Sequence, residues 1–199
     1  MIENKNKLIE RYLLPAFNAV TVKQKDFFAS LCKVCRLEHT SKFQQLEIPG
    51  PAEGGRMWFA IDALVHAFYY CPVKCLKRGS RIWKKREFIL YSASLMQQEP
   101  LTDYIEVLEP GRVLSIGYTE LAELQLLYPQ LNEHLQDIGR GNERYYHHRN
   151  QLLNKPIELR IAQFKEENPL FVLVVSHATA ASHLGMALRT YVFYLAKGK

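Results

Sequence analysis

The sequence lacks long hydrophobic runs. Its longest purely apolar stretch covers only residues 170–175, whereas a helix that crosses a bilayer needs about 20 such residues. The polar first residues lead into no apolar segment followed by a cleavage site, so no secretory signal is predicted. We therefore expect a soluble, cytoplasmic protein with no membrane partner.

Cysteines are also few. The four cysteines are Cys32, Cys35, Cys71 and Cys75. Their number excludes a disulfide-dense scaffold, and in a cytoplasmic chain the thiols stay reduced. They could bind zinc or an iron–sulfur cluster, but the first pair lies in a predicted helix, and neither pair is followed by a glycine that would shape a metal knuckle. We favour packing or surface thiols, and expect no metal.

Common catalytic signatures are missing as well. The chain contains no G-x-S-x-G, no Walker A loop, no G-x-G-x-x-G dinucleotide motif and no H-E-x-x-H zinc motif. We therefore expect a binding protein and not an enzyme.

The composition itself is that of a folded protein with a basic surface. Hydrophobic residues make up 48% and charged residues 23% of the 199 residues, enough for one large domain or two small ones. The formal net charge is +6 and the isoelectric point is about 9.1. Such an excess of positive charge favours an anionic partner such as nucleic acid.

Three regions of the sequence differ in the secondary structure that their residue patterns predict. Up to about residue 44, apolar residues recur at helical spacing. The second region, to about residue 117, contains β-rich stretches between turn dipeptides, and Glu109-Pro-Gly111 predicts a hairpin between its last two strands. The third region is helical again. Its segment 169–175 is compatible with either a helix or a strand.

A seven-residue stripe in the third region predicts a helix that pairs two copies of the chain. Its members alternate at spacings of four and three, the pattern of a coiled-coil seam. They are Leu131, Leu135, Ile138, Asn142, Tyr145, Arg149 and Leu152. In the alternative interpretation the same stripe packs on the β layer, and Gly139 and Gly141 weaken the helix.

The last segment has the composition of a helix-turn-helix. Ser176 is a plausible N-cap for a helix that ends at Gly185, and a second helix follows from about Leu188 to Ala196. The order of all these parts resembles the Crp/Fnr family of bacterial transcription regulators, from about residue 20 to the end. The segments that carry the resemblance are 57–70, 103–109, 113–116, Tyr128-Pro-Gln-Leu131 and Ala181-Ser-His-Leu-Gly185.

The resemblance implies an α+β fold in three parts. These are an N-terminal double-stranded β-helix, jelly-roll-like, that serves as a sensor domain (residues 1–128), a long dimerisation helix (129–153), and a C-terminal helical helix-turn-helix domain, winged-helix-like but truncated (154–199). It also implies a transcription regulator that binds double-stranded DNA as a homodimer and responds to a small-molecule effector.

The resemblance places an effector pocket, here termed the predicted pocket, at Leu90, Tyr91, Ser92, Leu101 and Thr102. Family members that bind cyclic nucleotides use a Gly-Glu pair for the ribose and an Arg-Ser pair for the phosphate. Leu90-Tyr91 and Leu101-Thr102 stand at those positions, so the arginine that neutralises the phosphate is missing. Because a buried phosphate without a charged partner is costly, we expect no cyclic nucleotide cofactor. The pocket holds another small molecule or none.

The DNA-binding residues implied by the resemblance are Ser176, His177, Arg189, Thr190, Phe193 and Lys197. Among the positions that read bases, Arg189 keeps a group able to bind guanine with two hydrogen bonds. In the alternative interpretation, the protein is an interaction or small-molecule-sensing module that has lost specific DNA binding. That alternative buries Leu188, Tyr191, Val192 and Leu195 against the fold and leaves Phe193 and Tyr194 for a protein partner.

A basic segment interrupts the β region. Seven of the thirteen residues from 74 to 86 are basic: Lys74, Lys77, Arg78, Arg81, Lys84, Lys85 and Arg86. They could attract DNA or another acidic partner. The favoured interpretation is a solvated hairpin, since alternate residues of a strand normally face water.

Overall fold

The computed structural model describes residues 4–17, 24–73 and 76–197. Helices occupy the two ends of the chain and strands the middle, as the residue patterns of the sequence predict. The α-helices are α1 (Lys5–Leu8), α2 (Leu14–Ala16), α3 (Gln24–Val34), α4 (Ser92–Gln97), α5 (Tyr118–Leu127), α6 (Gln130–Leu153), α7 (Ile157–Glu167), α8 (Pro169–Val174), α9 (His177–His183) and α10 (Leu188–Lys197). A π-helical turn (Ile9–Leu13) joins α1 to α2, and a 3₁₀ turn (Ala52–Gly54) precedes β3.

The strands form two four-stranded antiparallel sheets. They are β1 (Arg36–His39), β2 (Gln45–Glu47), β3 (Arg56–Ala60), β4 (Leu64–Cys71), β5 (Leu76–Trp83), β6 (Phe88–Ile89), β7 (Tyr104–Glu109) and β8 (Arg112–Gly117). The first sheet has the order β1-β8-β3-β6 and the second the order β2-β7-β4-β5. The predicted hairpin is therefore wrong: β7 and β8 lie in different sheets, and the turn at Pro110-Gly111 carries the chain from one sheet to the other.

Strand β3 shows why the middle of the chain is so apolar. Trp58 and Ala60 belong to a cluster to which both sheets contribute. Met57 and Phe59 alternate with them and pack instead with residues of α3, α5 and α6. Because successive side chains of a strand point to opposite faces, a strand covered on both faces reads as a continuous hydrophobic run.

A third hydrophobic cluster joins the second sheet to the C-terminal helices. Leu64, Ile82 and Leu108 come from β4, β5 and β7. They pack with helical residues that include Phe164 and Tyr191. The C-terminal helices are thus held against the β strands by shared apolar burial, which stabilises by about 25 cal/mol per Å².

Helix α6 runs along both outer clusters. Leu131 and Leu135 lie in the cluster of the first sheet, and Leu152 lies in the cluster of the C-terminal helices. The helix is continuous over its 24 residues despite Gly139. A side chain at that position would bring its Cβ within 2.9 Å of the Ser92 hydroxyl, so the glycine allows α6 to approach α4 closely. None of the helices in the described residues combines the length and apolar character that a bilayer crossing requires.

Candidate functional site

Helices α9 and α10 form the predicted pair of short helices around a glycine turn. Ser176 is the N-cap of α9, and its hydroxyl accepts a hydrogen bond from the Thr179 amide at 3.2 Å. Gly185 has a φ of +66°, a left-handed conformation that glycine adopts without steric cost. The cap and the glycine are therefore the residues that begin α9 and turn the chain towards α10.

Two arginines fasten the turn between α9 and α10. Arg160 of α7 donates from Nη1 to the Leu184 carbonyl oxygen at 3.1 Å. Arg149 of α6 donates from Nη2 to the His183 carbonyl oxygen at 3.0 Å and also to the carbonyl oxygen of Gly79 in β5. Hydrogen bonds from charged donors of this kind are stronger than neutral ones, so the turn is fixed to both its neighbouring helix and the β strands.

Helix α10 presents a mixed apolar and basic surface. Leu188, Val192 and Phe193 are 48%, 42% and 58% exposed, and Tyr191 is buried. The predicted buried face is therefore wrong at Leu188 and Val192, because the β strands contact α9 and leave this side of α10 uncovered. Arg189 is exposed one residue after Leu188.

The structure places the predicted DNA-binding residues at this end of the molecule. Ser176, His177, Arg189, Phe193 and Lys197 are exposed and Thr190 is half-buried. Arg189, Phe193 and Lys197 recur every four residues and so share one face of α10. The Lys197 ammonium lies 5.9 Å from the centre of the Phe193 ring.

The stripe predicted as a dimer seam contacts the chain's own strands and helices. Leu131, Leu135 and Leu152 are buried within one chain. The Asn142 amide donates to the Leu90 carbonyl oxygen at 2.8 Å, and the Tyr145 hydroxyl accepts from the Ile82 amide at 3.2 Å. These contacts match the alternative interpretation, in which the stripe packs on the β layer. Ile138, Asn142, Tyr145 and Arg149 are only half-buried, and the fully exposed side of α6 is polar.

The predicted pocket has little space beside Tyr91. Leu90 and Leu101 are buried, Tyr91 and Ser92 half-buried, and Thr102 exposed. A cavity beside Tyr91 and Leu101 has a volume of about 20 Å³, whereas small-molecule sites usually measure about 300–1,000 Å³, so this cavity is too small for a nucleotide. A second cavity, of about 560 Å³, borders Thr102 and Asp103 together with Tyr69, Tyr70 and Tyr104.

A buried carboxylate dominates the chemistry of the predicted pocket. Asp103 accepts hydrogen bonds from the hydroxyls of Ser80, Tyr91 (3.2 Å) and Thr102 (3.2 Å). Burial, with the nearby Tyr146 and Asp103, raises the pKa of Tyr91 well above 10, so that its hydroxyl remains a donor. A phosphate placed here would meet a like charge.

A second buried polar cluster joins α9 to the second sheet. His66 Nδ1 lies 3.0 Å from His183 Nε2, and His66 Nε2 lies 3.1 Å from Glu106 Oε1. Burial, with His66 and Arg149 nearby, lowers the pKa of His183 well below 6.5. A methyl group at Gly79 would overlap the His183 ring. No local signal in the sequence points to this cluster, because His66 and His183 are 117 residues apart and share no motif.

Three of the four cysteines lie in the part of the chain that the structure describes. In the described residues, no three His, Cys, Asp or Glu side chains are grouped so that they could hold a metal ion. Cys32 and Cys35 lie near the end of α3 or just after it, and burial raises the pKa of the Cys35 thiol to about 12. Cys71 ends β4, and Cys75 lies outside the described residues.

The basic segment is not uniformly solvated. Lys77, Lys84, Lys85 are exposed, but Arg81 is buried. Lys74 lies outside the described residues. The solvated-hairpin interpretation is therefore wrong for Arg81, because helix α6 covers that part of β5.

No family model and no curated protein sequence matches the chain. Solved structures do. A protein from Eubacterium rectale, described as a transcriptional regulator of the Crp/Fnr family, is 14% identical over 92% of this chain and 85% of that chain, with a TM-score of 0.77. The regulator CLP from Xanthomonas campestris is 14% identical over 86% of this chain and 90% of that chain, with a TM-score of 0.70.

A third similar structure is a Crp/Fnr family transcriptional regulator from Thermus thermophilus. It is 14% identical over 81% of this chain and 84% of that chain, with a TM-score of 0.67. All three are regulators by description, and none is described as an enzyme. At identities this low the likeness concerns the fold, and the resemblance seen in the sequence is confirmed at that level. The chain has the fold of the Crp/Fnr transcription regulators.

Proposed function

We propose that the protein is a DNA-binding transcription regulator of the Crp/Fnr type. The observation that carries the proposal is the placement of α9 and α10, a capped pair of helices whose second member exposes Arg189 and Lys197. The proposal keeps the predicted division into a sensor domain (1–128), a dimerisation helix (129–153) and a truncated helix-turn-helix domain (154–199).

The sensor domain is proposed to be jelly-roll-like. Its eight strands form two four-stranded sheets, and every pair of consecutive strands except β4 and β5 lies in different sheets. Two-sheet, eight-stranded arrangements of this kind are typical of jelly rolls. The similar structure CLP is described as responsive to c-di-GMP, which supports a small-molecule effector for this chain as well.

The predicted pocket is proposed not to bind cyclic nucleotides. Its phosphate position lacks an arginine, and Asp103 supplies a buried acceptor where a second anion would be repelled. The cavity of about 20 Å³ beside Tyr91 is too small for the base. We expect added cyclic AMP to leave the thermal unfolding midpoint of the protein unchanged.

Two copies are proposed to pair along α6 and to place their α10 helices in successive major grooves, about 34 Å apart. Since the predicted seam contacts the chain's own strands, a second copy would meet the half-buried edges of Ile138, Asn142, Tyr145 and Arg149 together with polar neighbours. A polar interface of this kind is weak in isolation. We therefore expect the dimer to form mainly on DNA that carries two half-sites.

Fluorescence anisotropy with labelled genomic fragments at low salt tests the proposal. Binding should weaken linearly in log affinity against log salt, because phosphate contacts release counterions. Arg189→Ala should reduce the preference for the best fragment by about 10-fold, as expected for one bidentate base contact. Arg36→Ala, at an exposed arginine on β1 away from α6 and α10, is the matched control and should bind like the unmodified protein. Failure to bind any fragment at low salt would refute the proposal.

A second candidate function, a protein-interaction module, is favoured by one observation. Leu188, Val192 and Phe193 expose apolar surface on the helix that would read DNA, and such patches often mark protein contacts. In that case Phe193→Ser would abolish binding to one defined protein partner. Arg189→Ala would leave the binding of every DNA fragment unchanged.

A further inference from the structure

A cavity separates β5, α6 and α7 where the C-terminal helices meet the sheet. Its volume is about 490 Å³, within the range of sites that hold small molecules. We call it the junction cavity. None of the five residues of the predicted pocket lines it.

Arg81 is a buried cation on the wall of this cavity. The side chain belongs to a residue that is 9% exposed, and its Nε and Nη1 have no partner within the part of the chain that the structure describes. Its guanidinium lies 4.7 Å from the centre of the Tyr145 ring and 5.1 Å from that of Trp83. Burial lowers the pKa of Arg81 below its ordinary value. An unpaired buried charge is costly, so an anion bound in the cavity would stabilise Arg81.

The other charged groups on the wall favour an anion too. Lys84, Arg144 and Arg149 add positive charge to that of Arg81. The two carboxylates that line the cavity, Glu87 and Glu167, accept hydrogen bonds from groups of the chain itself. Glu87 accepts from the Lys84 amide at 3.1 Å. Glu167 accepts from Gln163 at 2.6 Å and lies 2.9 Å from His148 Nε2.

Apolar side chains form one side of the wall. Tyr145, Leu152 and Phe164 line the side formed by α6 and α7. We propose that the junction cavity binds a small organic anion, whose phosphate or carboxylate pairs with Arg81 and whose apolar part lies against Tyr145 and Phe164.

Such a ligand would bridge the sheet and the C-terminal helices. The cavity is lined by β5, by α6 and α7, and by His183 of α9. A ligand that touches all of these favours the arrangement in which α9 and α10 are held against β5 and shifts the population towards it. This consequence for DNA binding rests on the proposed function, whereas the binding of the anion does not.

Isothermal titration calorimetry on the full chain without DNA tests the binding. The probes are phenyl phosphate, benzoate, inorganic phosphate and phenol. We expect phenyl phosphate or benzoate to bind at one molecule per chain, at least 10-fold more tightly than inorganic phosphate or phenol, because only these two carry both an anionic and an apolar group. The stronger of the two identifies which anionic group the cavity prefers.

Variants connect the binding to the cavity. Arg81→Gln should weaken binding by at least 10-fold, and Arg144→Gln, at an exposed position, should weaken it about threefold without affecting folding. Arg140→Gln lies one turn from Arg144 outside the cavity and should leave affinity unchanged. Equal affinity in all three variants, or no binding of either aromatic anion at millimolar concentration, would overturn the proposal. A protein that binds the anion but no DNA would refute the proposed function and leave this inference intact.

Discussion

The predicted pocket and the junction cavity differ in how their buried charges are satisfied. In the predicted pocket the Asp103 carboxylate accepts three hydroxyl donors, and only about 20 Å³ is open beside Tyr91. In the junction cavity two nitrogen atoms of Arg81 have no partner among the described residues, and about 490 Å³ is open. A shared fold therefore does not fix where a ligand binds; the balance of buried charge and volume does.

Removal of Asp103 is the change with the largest expected effect on this comparison. Asp103→Ala leaves the buried hydroxyls of Ser80 and Tyr91 without their acceptor, so the free energy of unfolding should fall by about 3 kcal/mol. Arg81→Gln removes a buried charge but also the contacts of the guanidinium with the Tyr145 and Trp83 rings. These two effects oppose each other, so the free energy of unfolding should change by less than about 1 kcal/mol in the absence of ligand. Urea unfolding monitored by circular dichroism measures both. Equal losses of unfolding free energy in the two variants would contradict the difference between the predicted pocket and the junction cavity.

A methyl group at Gly79 should disrupt the junction while leaving the predicted pocket intact. Because the new Cβ would overlap the His183 ring, Gly79→Ala should lower the free energy of unfolding by about 2 kcal/mol. Gly141→Ala is the matched control, since a Cβ there meets no atom within 4 Å, and it should stabilise α6 by up to about 1 kcal/mol. A neutral Gly79→Ala would show that α9 is not packed tightly on β5.

Acid should weaken the junction through His183. Below pH 6.5, its ordinary pKa, the unfolded chain binds a proton there and the folded chain does not. The free energy of unfolding should therefore fall as the pH falls, by about 1.4 kcal/mol at pH 5.5 from this one group. His183→Gln should lose that part of the pH dependence, and His147→Gln, at an exposed position, should retain it. Unfolding curves between pH 5.5 and 8 test this prediction. It would be contradicted if the free energy of unfolding of His183→Gln depended on pH as strongly as that of the unmodified protein.

Local signals predicted the helices well. The spacing of the stripe, the Ser176 cap and the glycine turn located α6, α9 and α10 to within a few residues, because these features depend on neighbours in the sequence. The stripe on α6 shows the limit of such reasoning. Its spacing establishes that one face is covered, and the same pattern results whether a second helix or the chain's own strands cover it.

Long-range features escaped prediction for a related reason. A turn at Pro110-Gly111 reverses the chain, but nothing in the dipeptide states that β7 and β8 enter different sheets. Arg81 lies in a segment rich in lysine and arginine, and only the covering helix distinguishes it from its solvated neighbours. The short strands β1 and β2 have too few apolar residues to show a period of two.

The two arginines that fasten the turn restrict how the C-terminal helices can move. Arg160 connects the turn to α7 through its hydrogen bond to the Leu184 carbonyl oxygen, so we expect α7, α9 and α10 to move together. Arg149 connects the same turn to α6 and β5, and so holds these three helices against the rest of the molecule. A movement of α9 relative to β5 would therefore break the hydrogen bond between Arg149 and His183 as well as the apolar contacts of the third cluster.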